Sequence, residues 1–128
     1  MATTMKFKVT WSEPKKFQDG NLRINADGVY LVGYRDEQTG KRHIVYVGQG
    51  DIGTRLSDHY RNNSCIKKKI GQVGRVGYYR YAECADEDGR LDIELGLYHE
   101  HGGTKLCNEI EPPGSGRYGK IEVEEQFS

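Results

Sequence analysis

Alternating apolar and polar positions predict short β-strands at several points along the chain. Near the start, Phe7, Val9 and Trp11 alternate with polar residues, which is the pattern of a half-buried strand. Runs of β-branched and aromatic residues predict further strands at 30–34, 43–47, 77–84 and 121–123. The first two of these flank the polar segment 36–40, so they are expected to form a β-hairpin.

The register of this hairpin decides where two tyrosines lie. With the turn centred on Gln38, Tyr30 lies opposite Tyr46 on the same face of the sheet. A slip of one residue would place the two rings on opposite faces. Taken alone, such a pair is typical of a cross-strand aromatic contact in the core. Any other role needs support from further residues.

Apolar residues at helical spacing predict three helices, at 52–61, 63–70 and 91–101. Asp51 or Thr54 is available as the N-cap of the first helix. The second helix is short and carries three consecutive lysines. The acidic segment 86–89 predicts a turn before the third helix.

One carboxylate of the third predicted helix is distinctive. Glu94 falls inside the apolar arc of that helix, whereas Asp92 and Glu100 fall on its solvent side. Burying a carboxylate without a partner is costly, so Glu94 requires one. A salt bridge to Arg90 or to a lysine from the basic segment would give it an ordinary structural role. The arc itself consists of Leu91, Leu95, Leu97 and Tyr98.

Together these elements predict an α+β fold in a single domain over residues 1–128. Its centre is expected to be a small, mostly antiparallel three-stranded sheet, made of the hairpin and the strand at 77–84 and flanked by helices. The core would cover about 28–108. The extensions 1–27 and 109–128 would add edge strands at the two ends of the chain.

Charge is balanced overall but not along the chain. Nineteen basic and nineteen acidic residues give a formal net charge of zero, which neither favours nor excludes a nucleic-acid partner. Residues 61–80 contain six basic residues and no acid, whereas 83–100 contain seven acids and one arginine. Such a distribution predicts either a positive face or two ordinary solvated surfaces.

Cysteine usage and hydropathy bear on the compartment. Cys65, Cys84 and Cys107 are odd in number and widely spaced, without the spacing of zinc ligands. They therefore indicate neither a disulfide framework nor a structural zinc, and they favour a reducing, intracellular setting. The apolar runs are too short for a membrane span, and the first residues lack a signal-peptide core. We expect a cytoplasmic protein with no membrane partner.

The glycine-rich segment 48–53 matches the pattern GxGxxG, between a predicted strand and a predicted helix. Nucleotide binding through this corner is a minor alternative for the function. Against it, the preceding strand closes a hairpin and is not the first strand of a parallel βαβ unit. The acid expected about 20 residues later, for the ribose, is also missing.

A different set of residues resembles the GIY-YIG nuclease superfamily. Gly28-Val29-Tyr30 and Tyr46-Val47-Gly48 each depart from that family's two tripeptides by valine in place of isoleucine. A helical arginine, a histidine one turn later, a glutamate on a later helix and a late asparagine follow in the family's order, as Arg55, His59, Glu94 and Asn108. The resemblance covers roughly residues 28–108.

The resemblance implies an endonuclease that hydrolyses phosphodiester bonds, most simply in DNA, with one divalent ion such as Mg²⁺ or Mn²⁺. It implies that Glu94 is the metal ligand and that Arg55 holds the scissile phosphate. Tyr30 or Tyr46 would activate the attacking water, and His59 would assist or orient that tyrosine. A phenol has an ordinary pKa of about 10, so a nearby cation or a metal-bound water must favour the phenolate. One carboxylate with waters and phosphate oxygens suits a magnesium-like ion.

Other positions are implied less directly. Asn108 corresponds to the family's late asparagine, which braces the site, and Glu100 is a second, less favoured candidate ligand. Some members carry a lysine after the second tripeptide, where this chain has Gln49. Candidate contacts to nucleic acid are Gln49, Lys67, Lys68, Lys69 and Arg75, although the lysines can equally form a solvated face.

An alternative from another class is a nucleic-acid-binding module of the same fold that does not cut by itself or needs a partner protein. It predicts salt-sensitive binding without cleavage. RNA is an alternative substrate to DNA. The short extensions are not expected to hold a separate DNA-reading domain, so sequence specificity would come from loops, a dimer or another chain.

Overall fold

The structure is a computed structural model that describes residues 3–127. It confirms an α+β fold in which an antiparallel sheet is flanked by three helices. In chain order the elements are β1 (Thr4–Thr10), β2 (Lys15–Lys16), β3 (Asp27–Asp36), β4 (Arg42–Asp51), α1 (Ile52–Asn62), α2 (Ser64–Ile70), β5 (Arg75–Glu83), α3 (Glu87–Glu100) and β6 (Lys120–Gln126). The central sheet has four strands in the order β2-β5-β3-β4, one more than expected, because the two-residue β2 pairs with the outer edge of β5.

The β3–β4 hairpin has a different register from the predicted one. Tyr30 pairs with Gly48, and Tyr46 pairs with Val32, so the tyrosines are diagonal rather than directly opposite. An irregularity between Val32 and Gly33 shifts the pairing within the hairpin. Because the error near the tyrosines is two residues, an even number, both rings still lie on the same face of the sheet.

Two apolar layers cover the two faces of the sheet. On one face, Leu56 of α1 and Ile66 of α2 pack against Tyr30, Val32 and other sheet residues. On the other face, α3 and the strands β1 and β6 pack against a second buried cluster, which includes Trp11, Leu31, Val47, Ile93 and Leu97. The strand β4 is an edge of the sheet, so helices from both faces come close to each other beside it.

The two terminal strands do not extend the central sheet, contrary to the prediction. β1 and β6 pair with each other in parallel, from Thr4 opposite Lys120 to Thr10 opposite Gln126. The alternation near the start is confirmed, since Val9 and Trp11 are buried. The Trp11 indole N–H donates to the Glu125 carboxylate at 2.9 Å. Because Trp11 belongs to the second buried cluster and Glu125 to β6, this hydrogen bond joins β6 to that cluster.

The third helix begins four residues earlier than predicted. Asp86 is its N-cap and accepts a hydrogen bond from the Gly89 backbone N–H at 3.0 Å, so the predicted turn at 86–89 is wrong. The placement of Asp92 on the solvent side is also wrong, because this residue is 0% exposed. Its two carboxylate oxygens accept hydrogen bonds from the backbone N–H and the hydroxyl of Ser115, both at 2.7 Å.

Two of the three cysteines form a disulfide. Cys65 in α2 is bonded to Cys107, and Cys84 is the free thiol. The expectation of unpaired cysteines is therefore wrong, because a sequence separation of 42 residues carries no spacing signal. Within residues 3–127, no helix is both long and apolar enough to cross a membrane.

Candidate active site

Tyr30, Tyr46 and His59 form one aromatic cluster between the β3–β4 hairpin and α1. The rings of Tyr30 and Tyr46 are stacked, with centroids 6.2 Å apart and planes inclined by 13°. The His59 ring centroid lies 4.2 Å from that of Tyr46. His59 Nε2 is 2.8 Å from the Tyr30 hydroxyl oxygen, within hydrogen-bond distance. The structure thus brings together three of the side chains that the sequence singled out.

The glycines of the 48–53 corner have structural reasons of their own. A Cβ atom on Gly48 would lie 2.3 Å from the Tyr30 hydroxyl oxygen, so only glycine leaves room for that ring. Gly50 has a φ of +122°, which L side chains rarely adopt. A Cβ atom on Gly53 would lie 2.5 Å from the Ile24 carbonyl oxygen. The corner closes an antiparallel hairpin, so these glycines are explained without a bound nucleotide.

Arg55 is an exposed cation near this cluster. Asp51 is the N-cap of α1, one of the two predicted caps, and accepts a hydrogen bond from the Thr54 backbone N–H at 3.2 Å. Arg55 follows one residue later, is exposed, and has no hydrogen bond or ion pair with other described residues. Its charge lowers the pKa of both Tyr30 and Tyr46. Arg55 is therefore available to an external anion.

Burial is the main influence on the acidity of the two phenols. It raises the pKa of Tyr30, which is 1% exposed, well above the ordinary value of 10.0. It also raises the pKa of Tyr46, to which the Glu94 charge adds. A side-chain interaction between the two phenols raises the pKa of Tyr30 and lowers that of Tyr46. The pKa of Tyr46, which is only half-buried, is raised less than that of Tyr30, so Tyr46 ionises more readily.

His59 is held as a neutral imidazole. Burial lowers its pKa from 6.5 to about 4, and this effect outweighs the opposing charge of Asp58. The residue is 8% exposed and lies on the inward side of α1 with Leu56. At neutral pH His59 therefore contributes hydrogen bonds rather than charge.

Glu94 is a half-buried carboxylate on α3. Burial raises its pKa from 4.5 to about 7, although the Arg55 charge lowers it. No ion pair joins Glu94 to any residue in the described range 3–127. The alternative partner Arg90 instead donates to the Gln49 side chain at 3.2 Å and to two backbone carbonyl groups. The ordinary salt bridge that the sequence left open to Arg90 is not formed.

A cavity of about 480 Å³ lies beside the edge strand β4, and Arg55 is not among the residues that line it. Tyr46 and His59 line it from the side of the sheet that carries α1, and Glu94 lines it from α3. Asn63 and Asn108 also border it, together with the disulfide. Tyr30 is the one member of the aromatic cluster that does not line this cavity.

Asn108 fastens β4 directly after Tyr46. Its side-chain amide donates to the Val47 carbonyl oxygen at 2.7 Å, and its side-chain oxygen accepts from the Val47 N–H at 3.2 Å. The backbone N–H of Cys107 donates to the Val45 carbonyl oxygen at 2.6 Å. The segment containing these residues thus substitutes for a further strand on this edge, and Asn108 stabilises the backbone that presents Tyr46.

The predicted contacts to nucleic acid lie apart from the cavity lining. Lys68 is exposed on α2, whereas Lys67 and Lys69 donate to the backbone carbonyl groups of Arg61 and Lys105. Arg75 donates to the Lys69 carbonyl oxygen at 2.7 Å, and its guanidinium lies 4.1 Å from the centroid of the Tyr34 ring. Gln49 accepts from Arg90. Arg75 and Gln49 thus have structural contacts that the sequence did not indicate.

The cavity lining includes carboxylate side chains that could serve as metal ligands, but no protein cage among the described residues. No group of three or more metal-ligating side chains occurs within the part of the chain described here. Burial raises the pKa of the Glu94 carboxylate, and none of the ion pairs among residues 3–127 involves it. A magnesium-type ion is commonly held by one or two carboxylates, with water and phosphate oxygens completing its shell. Glu94 would hold such an ion, and substrate and water would supply the other oxygens.

Sequence reasoning missed two contributors to this site. The side-chain nitrogen of Asn63 lies 3.4 Å from Nδ1 of His59. The sequence contained a signal for this contact, because asparagine is a common N-cap residue and follows the histidine by four positions. The pairing of Cys65 with Cys107 had no such signal. Comparison with known proteins does not extend the picture, since no family model, curated protein or solved structure matches the chain.

Proposed function

We propose that this protein is a metal-dependent endonuclease that hydrolyses phosphodiester bonds in DNA. The observation that carries the proposal is that the phenol of Tyr46 and the carboxylate of Glu94 line one cavity, while Arg55 lies near enough for its charge to lower the pKa of both. Hydrolysis of a phosphodiester needs a base for the water, positive charge for the phosphate, and neutralisation of the leaving oxygen. These groups match the first two needs, and a divalent ion held by Glu94 would supply the charge for the third.

Tyr46 is the proposed base. It lines the cavity, whereas Tyr30 is enclosed and does not reach the cavity. The Arg55 charge favours the ionised phenol and would bind a phosphate oxygen of the substrate. Tyr46 would take a proton from the attacking water as the new phosphorus–oxygen bond forms. His59 would keep Tyr30 in the orientation that bonds Tyr46.

DNA is the proposed partner and the cytoplasm the proposed compartment. The exposed Lys68, with its neighbours on α2, offers positive charge to a phosphate backbone. A disulfide such as Cys65–Cys107 is rare in cytosolic proteins and, where present, is often transient or redox-sensing. Whether Cys65 and Cys107 are bonded or reduced in the protein isolated from cells therefore tests the proposed compartment, since a persistent disulfide would count against the cytoplasm.

The decisive experiment is cleavage of supercoiled plasmid with Mg²⁺, with Mn²⁺ and with a chelator. We expect nicking only with a divalent ion, and a loss of roughly 100-fold or more in rate for Glu94→Gln and for Arg55→Ala. Matched controls are Glu100→Gln, an exposed carboxylate on the same helix, and Arg61→Ala on α1, both with near wild-type kcat. Full activity in Glu94→Gln would overturn the proposal. Salt-sensitive binding without cleavage, in all conditions and with branched DNA or RNA, would instead favour a non-catalytic module.

A further inference from the structure

The His59 ring has a hydrogen-bonding partner at each nitrogen. Nε2 lies 2.8 Å from the Tyr30 hydroxyl oxygen, and Nδ1 lies 3.4 Å from the side-chain nitrogen of Asn63. A neutral imidazole carries one proton, so one nitrogen donates and the other accepts. Which nitrogen carries it decides whether His59 donates to Tyr30 or accepts from it.

Asn63 decides the location of this proton. Its side-chain oxygen accepts a hydrogen bond from the Ile66 backbone N–H at 3.0 Å, because Asn63 is the N-cap of α2. That bond turns the NH₂ group of the same amide towards His59. An NH₂ group only donates, so it bonds Nδ1 only when Nδ1 is bare. The proton of the neutral ring then lies on Nε2.

The remaining hydrogen bonds follow in one direction. His59 Nε2–H donates to the Tyr30 oxygen, which leaves the Tyr30 hydroxyl proton to point towards the neighbouring phenol of Tyr46. The proposed chain therefore runs from Asn63 through His59 and Tyr30 to Tyr46, and all of these except Tyr30 line the cavity. With the proton on Nδ1 instead, two donors would face each other at Asn63, and Nε2 would draw the Tyr30 proton away from Tyr46.

We propose that Asn63 is a positioning residue that orients this chain of hydrogen bonds, so that His59 is a donor and Tyr46 the final acceptor. The inference deepens the proposed nuclease function, because it states how the cavity-lining phenol is prepared for its role. It also excludes a role of His59 as the base that deprotonates Tyr30. Asn63 acts through His59 and does not itself touch the reacting atoms.

Two substitutions separate this role from the capping of α2. Aspartate and serine are both good N-cap residues, so Asn63→Asp and Asn63→Ser preserve the start of the helix. Asn63→Asp presents only acceptors to Nδ1, which attracts the proton to that nitrogen and reverses the chain. Asn63→Ser is too short to reach the ring and leaves the proton unassigned. Both variants should retain the wild-type far-UV circular dichroism spectrum.

The first readout is the protonation pattern of His59, observed in long-range ¹H–¹⁵N spectra of ¹⁵N-histidine-labelled protein. The spectra are recorded at pH 8, where the ring is neutral, and the signal is assigned by its loss in His59→Gln. We expect a protonated Nε2 in the wild type and a protonated Nδ1 in Asn63→Asp. A protonated Nδ1 in the wild type, or a pattern unchanged by Asn63→Asp, would overturn the proposal.

The second readout is plasmid nicking. We expect Asn63→Asp to lower kcat about tenfold, the equivalent of one lost hydrogen bond, with KM unchanged. An unchanged kcat in a variant whose ring proton has moved would refute the link to catalysis. The spectra do not depend on cleavage. A wild-type protein that cuts no substrate would therefore refute the nuclease function, whereas the position of the His59 proton would still test the role of Asn63.

Discussion

The Cys65–Cys107 disulfide permits a prediction whose magnitude follows from the structure. The bond closes a loop of 42 residues that contains α2, β5 and α3, and it restricts the unfolded chain far more than the folded one. On the chain-entropy relation, a loop of this length corresponds to about 4 kcal/mol at 25 °C. Typical domains have free energies of unfolding of about 5–15 kcal/mol, so this is a substantial share.

The perturbation is the double substitution Cys65→Ala/Cys107→Ala, compared with the wild type in urea at pH 7. We expect a loss of about 4 kcal/mol in the free energy of unfolding, with a steeper denaturant dependence because the unfolded chain becomes less compact. Cys84→Ala is the matched control, since Cys84 is a free thiol, and it should cost much less. Reduction of the wild type should reproduce the double variant, because Cys65 is exposed to the reductant.

Two results would refute this reasoning. One is a titre of three free thiols in the denatured, unreduced protein, where the structure requires one. The other is a double variant whose stability equals that of Cys84→Ala. A smaller loss, in the presence of the disulfide, would mean that the unfolded chain retains structure within the loop.

Three further predictions concern packing, protons and a buried carboxylate. Gly48→Ala should lose roughly 1–3 kcal/mol of stability in urea and most of its nicking rate, because the new methyl group collides with the Tyr30 hydroxyl; a stable, active variant would contradict this. Burial lowers the pKa of His59 to about 4, so the unfolded chain binds more protons between pH 6.5 and 4. The contribution of His59 to the free energy of unfolding should therefore fall as the pH drops through that interval, whereas Glu94, whose pKa burial raises to about 7, contributes in the opposite sense. The difference in the free energy of unfolding between the wild type and His59→Gln should accordingly shift against the wild type as the pH falls; parallel pH profiles would count against this. Asp92→Ala should lower the free energy of unfolding by roughly 2–4 kcal/mol, because both hydrogen bonds from Ser115 to the buried carboxylate are lost. An unchanged urea midpoint would show that these hydrogen bonds do not stabilise the fold.

The elements of the fold were predictable, but their partners were not. Local periodicity identifies β1 and β6 as strands, yet says nothing about which strand each joins, so their mutual parallel pairing came from the structure. The segment 86–89 has residues that suit both a turn and a helix start, and the structure resolves this in favour of the N-cap Asp86. Asp92 was misplaced because Ser115, which satisfies it, lies 23 residues later in a loop.

The site was predictable where residue spacing reflects geometry. Arg55 and His59 share a helix, and the two tyrosines remain on one sheet face despite the wrong register, because the error was even. The approach of Glu94 from the opposite face, around the edge strand, depends on how α3 packs and has no local signature. The disulfide and the hydrogen bonds between Asn108 and Val47 also join residues far apart in the sequence, so no local pattern predicts them.

The pairing of β1 with β6 also affects how the chain acquires its fold. The paired residues Thr10 and Gln126 are 116 positions apart, so closing this contact is among the costliest steps for the chain and should come late. During synthesis at about 5–20 residues per second, β1 would wait roughly 6–23 s for its partner. Throughout that interval Trp11 and its apolar neighbours have no strand to cover them. Expression at lower temperature or with chaperones should therefore improve the soluble yield more than any change within the site.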